Sequence, residues 1–576
     1  MHDLVIRAGT VVDGTGSPAV VADVAVDDGI VTAVGRDVGK GRREVDADGA
    51  VVAPGFVDIH THYDGQATWD ERLLPSAWHG VTTVVMGNCG VGFAPVAPEH
   101  QQRLIDLMEG VEDIPGTALH EGLSWEWSSF EDYLAALEAR PHDIDLAAQV
   151  PHGALRVHVM GERARSGEAA TADDIAAMAK LARAGVEAGA LGFTTSRTLN
   201  HRSVTGELTP SYDAGAEELV GIAAELGAAG KGVLQLVTDF ADVDGDVDLM
   251  LAMMRTSGRP LSVSLAQSPL APTTYLEVLR RLAAANAEGL PMRAQVAARA
   301  VGLLMGLPCT LHPFMTNPVW QRLARLPVPE QARAMREPSV KAEMLAAQTG
   351  ERNRNLIGGR LIHLYSSMYE LTDPPDYEPE PSDSIASRAQ RLGRTPEDLV
   401  YDLMLADDGL AMVYVPSLNY ADGNLDAVHT MLTDPHTVPG LSDGGAHVGT
   451  ICDVSFPTTL LEYWVRDRDR GRIPLELAVQ RQARDTARAV GLLDRGVLAP
   501  GHKADVNVID LDRLRLRRPE MHFDLPGGGR RLLQRAEGYR HTFVGGVETY
   551  ADGEPTDELP GRLVRGPQSR PRPLSA

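Results

Sequence analysis

A pair of histidines at the end of an apolar stretch constrains this chain most. Residues 51–57 are mostly apolar or β-branched, and the stretch leads into His60 and His62. Side chains alternate between the two faces of a strand, so residues two positions apart point to the same side. Because neutral imidazole is the commonest metal-ligand side chain, this strand end predicts half of a metal site. The alternative is a chance pair among the 18 histidines of the chain.

Two further candidate ligands lie in glycine-containing turns. Cys89 follows a strand-like stretch, residues 81–86, and is flanked by Gly87 and Gly90, whereas Asp443 begins an Asp-Gly-Gly turn. Each has a structural alternative, because a free cysteine is often a small buried hydrophobe and aspartate favours turns. With the histidine pair, they predict two nitrogens, one thiolate and one carboxylate around a single divalent metal ion.

The composition excludes some classes of partner. The chain has 576 residues, of which 43% are hydrophobic and 23% charged, as is typical of a soluble globular protein. This length accommodates a large α/β barrel and a smaller domain. The net charge of −25, from 54 Lys+Arg against 79 Asp+Glu, argues against nucleic acid or an anionic membrane as the main partner.

Cysteine content and hydropathy indicate the compartment. Three cysteines do not make a disulfide framework, and their scarcity fits a reducing environment. The N-terminus lacks a basic segment followed by an apolar core, so no signal peptide is predicted. No apolar run approaches the ~18 residues of a membrane helix. These features predict a cytoplasmic enzyme without a membrane partner.

Both ends of the chain are rich in strands. Residues 1–53 and 491–550 alternate β-branched runs with Asp- and Gly-containing turns. Neither segment has enough strands for a core of its own, so they predict one discontinuous β domain; two unrelated β modules are the alternative. Residues 551–576 are rich in Pro, Arg and Gly and are predicted to form an extended tail.

The middle of the chain, residues 54–490, alternates strand-like and Ala-rich helical stretches. Such repeated units indicate parallel strands and an α/β architecture. With a late strand that ends near Asp443, their number approaches the eight strands of a barrel. A further strand is predicted at 361–365. The strand-like stretches are 50–60, 81–87, 144–150, 190–195, 232–237 and 260–266.

Several of these segments resemble a known superfamily. Residues 53–62, the Ser-Asp-Gly turn at Asp443 and residues 496–505 resemble the amidohydrolase superfamily over nearly the whole chain. Within it, residues 80–90 and 189–196 resemble the N-acyl-D-amino-acid deacylase (D-aminoacylase) family. The resemblance implies a metal-bearing (β/α)₈ TIM-like barrel, at 54–490, and a small β-sandwich formed by both chain ends.

The resemblance also implies roles for individual residues. His60 and His62 match the ligands on the first strand, Cys89 matches a metal-bridging cysteine, and Asp443 matches an aspartate on the eighth strand that acts as general acid/base. The family usually carries a further histidine on each of strands 5 and 6. Here residues 232–239 and 261–268 contain none. Glutamines lie near both positions, and because glutamine does not replace imidazole as a zinc ligand, one Zn²⁺ or other divalent ion is expected.

The function implied is metal-dependent hydrolysis of a linear, non-peptide amide, such as an N-acyl-D-amino acid. A metal-activated water would attack the amide carbonyl, with Asp443 as the general acid/base. The alternative is an amidohydrolase fold with a degenerate metal site that works as a binding or scaffold protein, or as a non-hydrolytic enzyme. The expected partner is a small-molecule amide, and a homo-oligomer is compatible with the sequence.

Other polar residues follow predicted strands and are candidates for substrate binding. Loops at the carboxyl ends of barrel strands carry function, but a structural histidine or a solvated surface charge is an equal alternative at several positions. The candidates are His152, Arg197, Gln235, Gln267 and His447, and His201 lies in the loop after Arg197.

Overall fold

Strands from the two chain ends share one sheet in the computed structural model, which describes residues 1–354 and 356–571. Val51–Pro54 pairs in parallel with His2–Val11 and antiparallel with Val506–Ile509. Buried aliphatic side chains of both segments pack into one cluster, so the two ends share a core. The nine strands of this sheet are His2–Val11, Val20–Asp27, Ile30–Gly35, Gly41–Asp46, Val51–Pro54, Val506–Ile509, Tyr539–Val544, Val547–Ala551 and Glu554–Pro555.

Parallel strands form the centre of the molecule, in two groups that meet at the third strand, which Gln149 divides into Asp145–Ala148 and Val150–Pro151. Asp145–Ala148 pairs with the strand before it, and Val150–Pro151, one residue later, pairs with the strand after it. Most of these residues are buried on both faces, as parallel strands covered by helices usually are. In chain order the strands are Phe56–Asp58, Val81–Met86, Asp145–Ala148, Val150–Pro151, Gly192–Arg197, Val233–Thr238, Leu261–Leu265, Met292–Val296 and Thr437–Pro439.

Helices follow most of the parallel strands, which makes this a mixed α/β fold. In the described part of the chain, no helix is long and apolar enough to cross a bilayer. Leu460–Asp467 and Arg481–Asp485 are π-helical. The α-helices are Gln101–Glu112, Gly116–Gly122, Phe130–Glu138, His152–Met160, Glu162–Arg165, Ala172–Ala188, Ala216–Ala229, Val243–Ser257, Thr274–Ala287, Pro318–Leu323, Val328–Met335, Pro338–Ala346, Ile385–Leu392, Pro396–Met404, Asp426–Thr433, Phe456–Thr459, Leu475–Gln480 and Thr486–Ala489.

The helix Ala172–Ala188 shows how local sequence sets these boundaries. The Thr171 hydroxyl accepts a hydrogen bond from the backbone N–H of Asp174, whose carboxylate accepts one from the backbone N–H of Thr171. This capping box satisfies two N–H groups that a helix start otherwise leaves unpaired. The helix ends at Gly189, whose φ of 127° favours glycine. The chain then enters the parallel strand Gly192–Arg197.

Two local predictions differ from the structure. The stretch Met292–Val296 is a parallel strand that the sequence patterns did not indicate, because Arg293 and Gln295 interrupt its apolar character. The strand predicted at 361–365 is wrong: Tyr365–Ser367 is a 3₁₀ helix, and the residues before it are turns. An apolar run alone does not distinguish a strand from other buried segments.

An inserted unit follows the parallel strand Met292–Val296. Val301–Met305, Tyr369–Glu370 and Val413–Leu418 form an antiparallel sheet. The helices between residues 318 and 404 pack against it around a separate apolar cluster that includes Tyr401. This cluster accounts for the long interval between the last two parallel strands. Two short antiparallel pairs lie near the C-terminus: Arg515–Leu516 with Ala536–Glu537, and Glu520–Leu525 with Gly529–Leu533.

The C-terminal tail lies along the parallel strands. Backbone N–H groups of Gly561, Val564 and Gly566 donate to carbonyl oxygens of His142, Leu146 and Gly189, at 2.7–2.8 Å. The Val564 side chain is buried. Of the predicted tail, Glu554–Pro555 belongs to the nine-stranded sheet, and the stretch that contains Gly561, Val564 and Gly566 is attached to the parallel-strand region by these bonds. The last residues of the tail, 572–576, lie outside the described residues.

A buried ion cluster joins this body to the C-terminal segment. Asp145 accepts hydrogen bonds from Arg495 at 2.6 Å and from Lys503 at 2.7 Å, and its other oxygen accepts the backbone N–H of Arg562 at 3.0 Å. The Asp145 and Arg495 side chains are each only 4% exposed. Removing one member of such a cluster leaves a buried charge without compensation.

We expect Asp145→Asn to lower the free energy of unfolding by about 3–5 kcal/mol, the usual cost of breaking a buried ion pair from one side. Urea unfolding followed by circular dichroism measures the change. Asp248→Asn is the matched control, because Asp248 forms an exposed surface pair with Arg281 and such pairs contribute little. Equal stability of the two variants would contradict the role assigned to the cluster.

Candidate metal centre

The first parallel strand presents the two histidines to one point. Asp58, the last residue of that strand, accepts hydrogen bonds from the backbone N–H of His60, at 3.2 Å, and from the hydroxyl of Ser442. Between the histidines, the Thr61 hydroxyl donates to the carbonyl of Val85 at 2.9 Å. Both imidazoles are about 1% exposed, and their ring centroids are 5.5 Å apart.

A strained turn after the second strand brings in the thiol. Cys89 has a φ of 55°, and the preceding Gly87 has a φ of 84°, a region that favours glycine. A side chain at Gly87 would place its Cβ 2.3 Å from the carbonyl oxygen of Gln149, so only glycine fits there. This turn holds the Cys89 Sγ 3.3 Å from the Nε2 of His60.

These three residues form a compact ligand cluster. The ligand atoms of His60, His62 and Cys89 all lie within 4.8 Å of one another. Asp443 Oδ1 lies 3.4 Å from His60 Nε2 and 3.8 Å from His62 Nε2. The structure therefore brings together the four residues that the sequence singled out as ligands.

Backbone hydrogen bonds set the position of Asp443. Its N–H donates to the carbonyl of His60 at 3.1 Å, and the N–H of His62 donates to the carbonyl of Gly444 at 2.7 Å. Asp443 has a φ of 51°, so the chain turns sharply after the last parallel strand. The Asp443 side chain is 16% exposed, which makes it more accessible than either histidine.

Burial sets the protonation of the cluster. It lowers the pKa of His60 to about 4 and that of His62 well below its usual value, so both imidazoles are neutral at pH 7. It raises the pKa of Asp443 to about 7. Burial, with Glu112 and Asp443 nearby, raises the pKa of the Cys89 thiol well above its usual value. A bound cation reverses this for the acidic groups, because it displaces their protons.

The donor set fits a divalent metal ion. Two neutral imidazole nitrogens, one thiolate and one carboxylate oxygen are ligands that zinc accepts, and catalytic zinc commonly uses three protein ligands. The groups converge from three separate segments of the chain, at the ends of the first, second and last parallel strands. Such a buried set of ionisable groups is typical of a functional site.

Gln295, which the sequence did not indicate, orients the first histidine. Its Oε1 accepts a hydrogen bond from His60 Nδ1 at 2.7 Å, and its Nε2 donates to the Ser262 hydroxyl at 2.9 Å. This contact fixes the tautomer that leaves His60 Nε2 free to bind a metal, as outer partners of metal-bound histidines usually do. The available signal was a glutamine within an otherwise apolar strand, which was itself not predicted.

Glu112 is a second residue that the sequence did not indicate. Its carboxylate is 1% exposed; Oε1 lies 3.2 Å from His62 Nδ1, and Oε2 lies 3.7 Å from His447 Nε2. Burial, and then Asp443 and Asp64, raise its pKa well above the usual value. The available signal was its spacing, since Glu112 follows the buried Leu104 and Met108 at four-residue intervals on one helix face.

Three of the other predicted residues, His447, His201 and Arg197, have different surroundings. His447 lies against the cluster, with Nε2 3.9 Å from Asp443 Oδ2. His201 Nδ1 is hydrogen-bonded to the Ser196 hydroxyl at 2.8 Å, and burial lowers the pKa of His201 to about 4. Arg197 ends the fourth strand with its side chain 30% exposed and with Nη1 3.7 Å from Asp246.

Two further candidates are hydrogen-bonded to other protein groups, and a third has no hydrogen-bond partner among the described residues. The two ring nitrogens of His152 are hydrogen-bonded to Thr195 and Glu218, each at 2.8 Å. Gln267 donates to Asp422 at 2.7 Å and accepts the backbone N–H of Ala421, so the polar atoms of both side chains contact other groups of the protein. The amide of Gln235 is buried and has no hydrogen-bond partner among the described residues.

Comparison with known families identifies the family of this chain. The model of the amidohydrolase family Amidohydro_3 matches residues 43–555, most of the chain. The chain belongs to this family. The amidohydrolase is 28% identical over 577 residues to D-aminoacylase from Alcaligenes xylosoxydans xylosoxydans, an alignment that covers 98% of this chain and 97% of the relative.

Solved structures of related enzymes share the fold. A structure of D-aminoacylase, described by its binuclear metal centre, superposes with a TM-score of 0.66 at 25% identity, covering 98% of this amidohydrolase and 100% of that chain. N-acyl-D-glutamate deacylase from Bordetella bronchiseptica, in complex with zinc and a phosphonate inhibitor, gives a TM-score of 0.63 at 25% identity, covering 98% and 99%.

We expect Gln295→Met to raise the apparent Kd for Zn²⁺ by about 10- to 100-fold, because His60 loses the partner that orients it. Titration of zinc into the apoprotein measures the change. Gln235→Met is the matched control: it removes a glutamine amide two strands away in the same sheet, and that amide has no hydrogen-bond partner among the residues described. Equal Kd values for the two variants would contradict the role of Gln295.

Proposed function

We propose that this amidohydrolase hydrolyses a linear, non-peptide amide bond in a metal-dependent reaction, with N-acyl-D-amino acids as the substrate class. The observation that supports this most is the buried cluster of His60, His62 and Cys89 with Asp443 3.4 Å from His60. Relatives that align over most of the chain are named D-aminoacylase and N-acyl-D-glutamate deacylase. Convergence of the four residues disfavours the alternative of a scaffold with a degenerate site.

The metal proposed is one Zn²⁺ held by His60, His62, Cys89 and Asp443. When bound, it supplies Lewis-acid polarisation of the amide carbonyl and lowers the pKa of water. His60 and His62 contribute neutral nitrogens, and Cys89 contributes the thiolate that offsets part of the ion's charge. Gln295 holds His60 in the required orientation.

Asp443 is proposed to move the proton. It is the most exposed of the four ligand residues, so it faces the side from which substrate arrives. Its carboxylate takes a proton from the attacking water and returns that proton to the leaving nitrogen, which departs as an amine. No covalent bond between enzyme and substrate is required.

Arg197 is proposed to bind the carboxylate of the amino-acid part of the substrate. It ends the fourth parallel strand, and its only ion-pair contact among the described residues is the long one to Asp246. Its Nε is buried without a hydrogen-bond partner in the same part of the chain. A guanidinium with free N–H groups suits a carboxylate, which it binds in bidentate fashion.

The parallel strands are proposed to close into a (β/α)₈ barrel. Thr61, after the first strand, forms a parallel bridge with Gly444, after the last one, and this contact would join the two ends of the strand series. The chain ends, 1–53 with 491–550, are proposed to form the associated β-sandwich. The pairing of Val51–Pro54 with Val506–Ile509 supports a single discontinuous domain.

We further propose that the substrate is a small-molecule amide and that the enzyme works in a reducing compartment. The three cysteines are free and buried, which fits a cytoplasmic enzyme. The net charge of −25 does not favour nucleic acid as a partner.

Asp443→Asn is expected to reduce kcat about 10²- to 10⁴-fold, the usual contribution of a general acid/base. The assay follows amine release from a panel of N-acyl-D-amino acids, with zinc content measured in parallel. Asp173→Asn, an exposed aspartate in the first turn of a helix, is the control and keeps full activity. Hydrolysis by the Asp443 variant at the wild-type rate would refute the mechanism.

Arg197→Met is expected to raise KM by about 10- to 100-fold for an N-acyl-D-amino acid, because a charge-assisted pair contributes about 1.5–3 kcal/mol. An N-acyl alkylamine of the same acyl chain, which has no carboxylate, serves as the matched substrate. Its KM should not change. A parallel rise for both substrates would show that Arg197 acts on the fold of the site rather than on the carboxylate.

A further inference from the structure

We propose that Thr194 is a positioning residue that holds the turn around Cys89 in the shape that presents its thiolate to the metal ion. Thr194 lies on the fourth parallel strand, Gly192–Arg197, which contributes none of the four proposed ligands. Its hydroxyl binds the backbone of the turn and not the ion. This role rests on the proposed function, because it takes Cys89 to be a metal ligand.

The Thr194 hydroxyl contacts the turn on both sides of Cys89. It donates a hydrogen bond to the carbonyl of Gly87 and accepts one from the backbone N–H of Gly90 at 3.1 Å. The side chain is fully buried, so water does not compete for either bond. A hydroxyl has one proton to donate and lone pairs that accept, so a single oxygen atom joins the two ends of the turn.

The backbone of the turn needs such support. Cys89 has a φ of 55°, in the left-handed region that favours glycine. A residue with a side chain persists there only where its surroundings determine the conformation. A change of φ at Cys89 rotates its Cα–Cβ bond, and this moves Sγ from its place 3.3 Å from the Nε2 of His60. The contacts of the turn therefore decide where the thiolate lies.

The hydrogen bonds of the turn hold its two sides separately. The N–H of Gly87, before Cys89, donates to the buried carboxylate of Asp64 at 3.1 Å. The bond from Gly90 to Thr194 holds the residue after Cys89. Loss of the Thr194 hydroxyl is therefore expected to release the second side of the turn while the first side stays in place.

Strand alternation explains why Thr194 and not the next residue faces the turn. Adjacent residues of a strand point to opposite faces. The hydroxyl of Thr195 is hydrogen-bonded to His152 at 2.8 Å, on the other face. A Cβ at Gly90 would lie 3.0 Å from the Cα of Thr195, so glycine at position 90 lets the turn lie directly against the strand.

The main test is the Co²⁺ spectrum of the full-length protein, with one equivalent of Co²⁺ added to the apoprotein. The wild type should show thiolate-to-cobalt charge-transfer absorption, because Cys89 is a ligand. Thr194→Val keeps the shape of the side chain without the hydroxyl. We expect it to lose most of this absorption and to raise the apparent Kd for Zn²⁺ about 10- to 100-fold. Thr194→Ser restores the hydroxyl and should restore both.

Thr542→Val is the matched control, because Thr542 is also a buried threonine on a strand. Its side chain is 1% exposed, and its hydroxyl donates to Asn507 at 3.1 Å in the sheet that the chain ends form. This variant should keep the cobalt spectrum and the Kd of the wild type. An equal loss in both valine variants would count against Thr194, since general destabilisation would then explain it.

Hydrogen exchange of the Gly90 amide tests the same contact without metal. The wild-type apoprotein should protect this amide, because it is donated to a buried hydroxyl. In Thr194→Val the amide should exchange about 2- to 10-fold faster, as the loss of one ordinary hydrogen bond allows. Thr194→Ser and Thr542→Val should leave its exchange unchanged.

The outcomes separate the role of Thr194 from the proposed function. A thiolate signal that Thr194→Val keeps in full, with an unchanged Kd, would overturn the role of Thr194 and leave the metal site intact. Rapid exchange of the Gly90 amide in the wild type would overturn it as well, even if the valine variant does not fold. Absence of the thiolate signal from the wild type would instead overturn the proposed metal site, and with it the role of Thr194.

Discussion

The site depends most on the backbone contact between the ends of the first and last parallel strands. The N–H of Asp443 donates to the carbonyl of His60, and the N–H of His62 donates to the carbonyl of Gly444. These two bonds fix segments from opposite ends of the parallel-strand region within hydrogen-bond distance. They place a carboxylate beside two imidazoles without any side chain having to hold it there. The turn that contains Cys89 adds the thiolate from the neighbouring strand.

Desolvation is the second constraint, and it acts in opposite directions on acids and bases. Burial keeps the imidazoles of His60 and His62 neutral, and so ready to donate lone pairs. The same burial favours the protonated forms of Cys89, Asp443 and Glu112. Metal binding is consequently linked to proton release, and the affinity of the site for a cation should rise with pH. A bound cation stabilises the ionised acidic groups most strongly where the site is shielded from water and holds few other positive charges.

The terminal segments contribute to the site indirectly. Val51–Pro54 belongs to the sheet that both chain ends form, and the chain enters the first parallel strand two residues later. At the third strand, Asp145 is held by Arg495 and Lys503 from the C-terminal segment. The position of the parallel strands, and so of their functional ends, is therefore tied to residues far along the chain.

The sequence by itself indicated the α/β class and singled out His60, His62, Cys89 and Asp443, because local patterns show them: two-residue spacing after an apolar run and turns rich in glycine. Only the tertiary structure decided the roles of Gln295 and Glu112, and it replaced the predicted strand at 361–365 by turns and a 3₁₀ helix. The physical reason is that a partner across the fold leaves no local pattern. Gln295 contacts His60 from another strand, and Glu112 reaches the cluster only because its helix buries that carboxylate against His62 and His447.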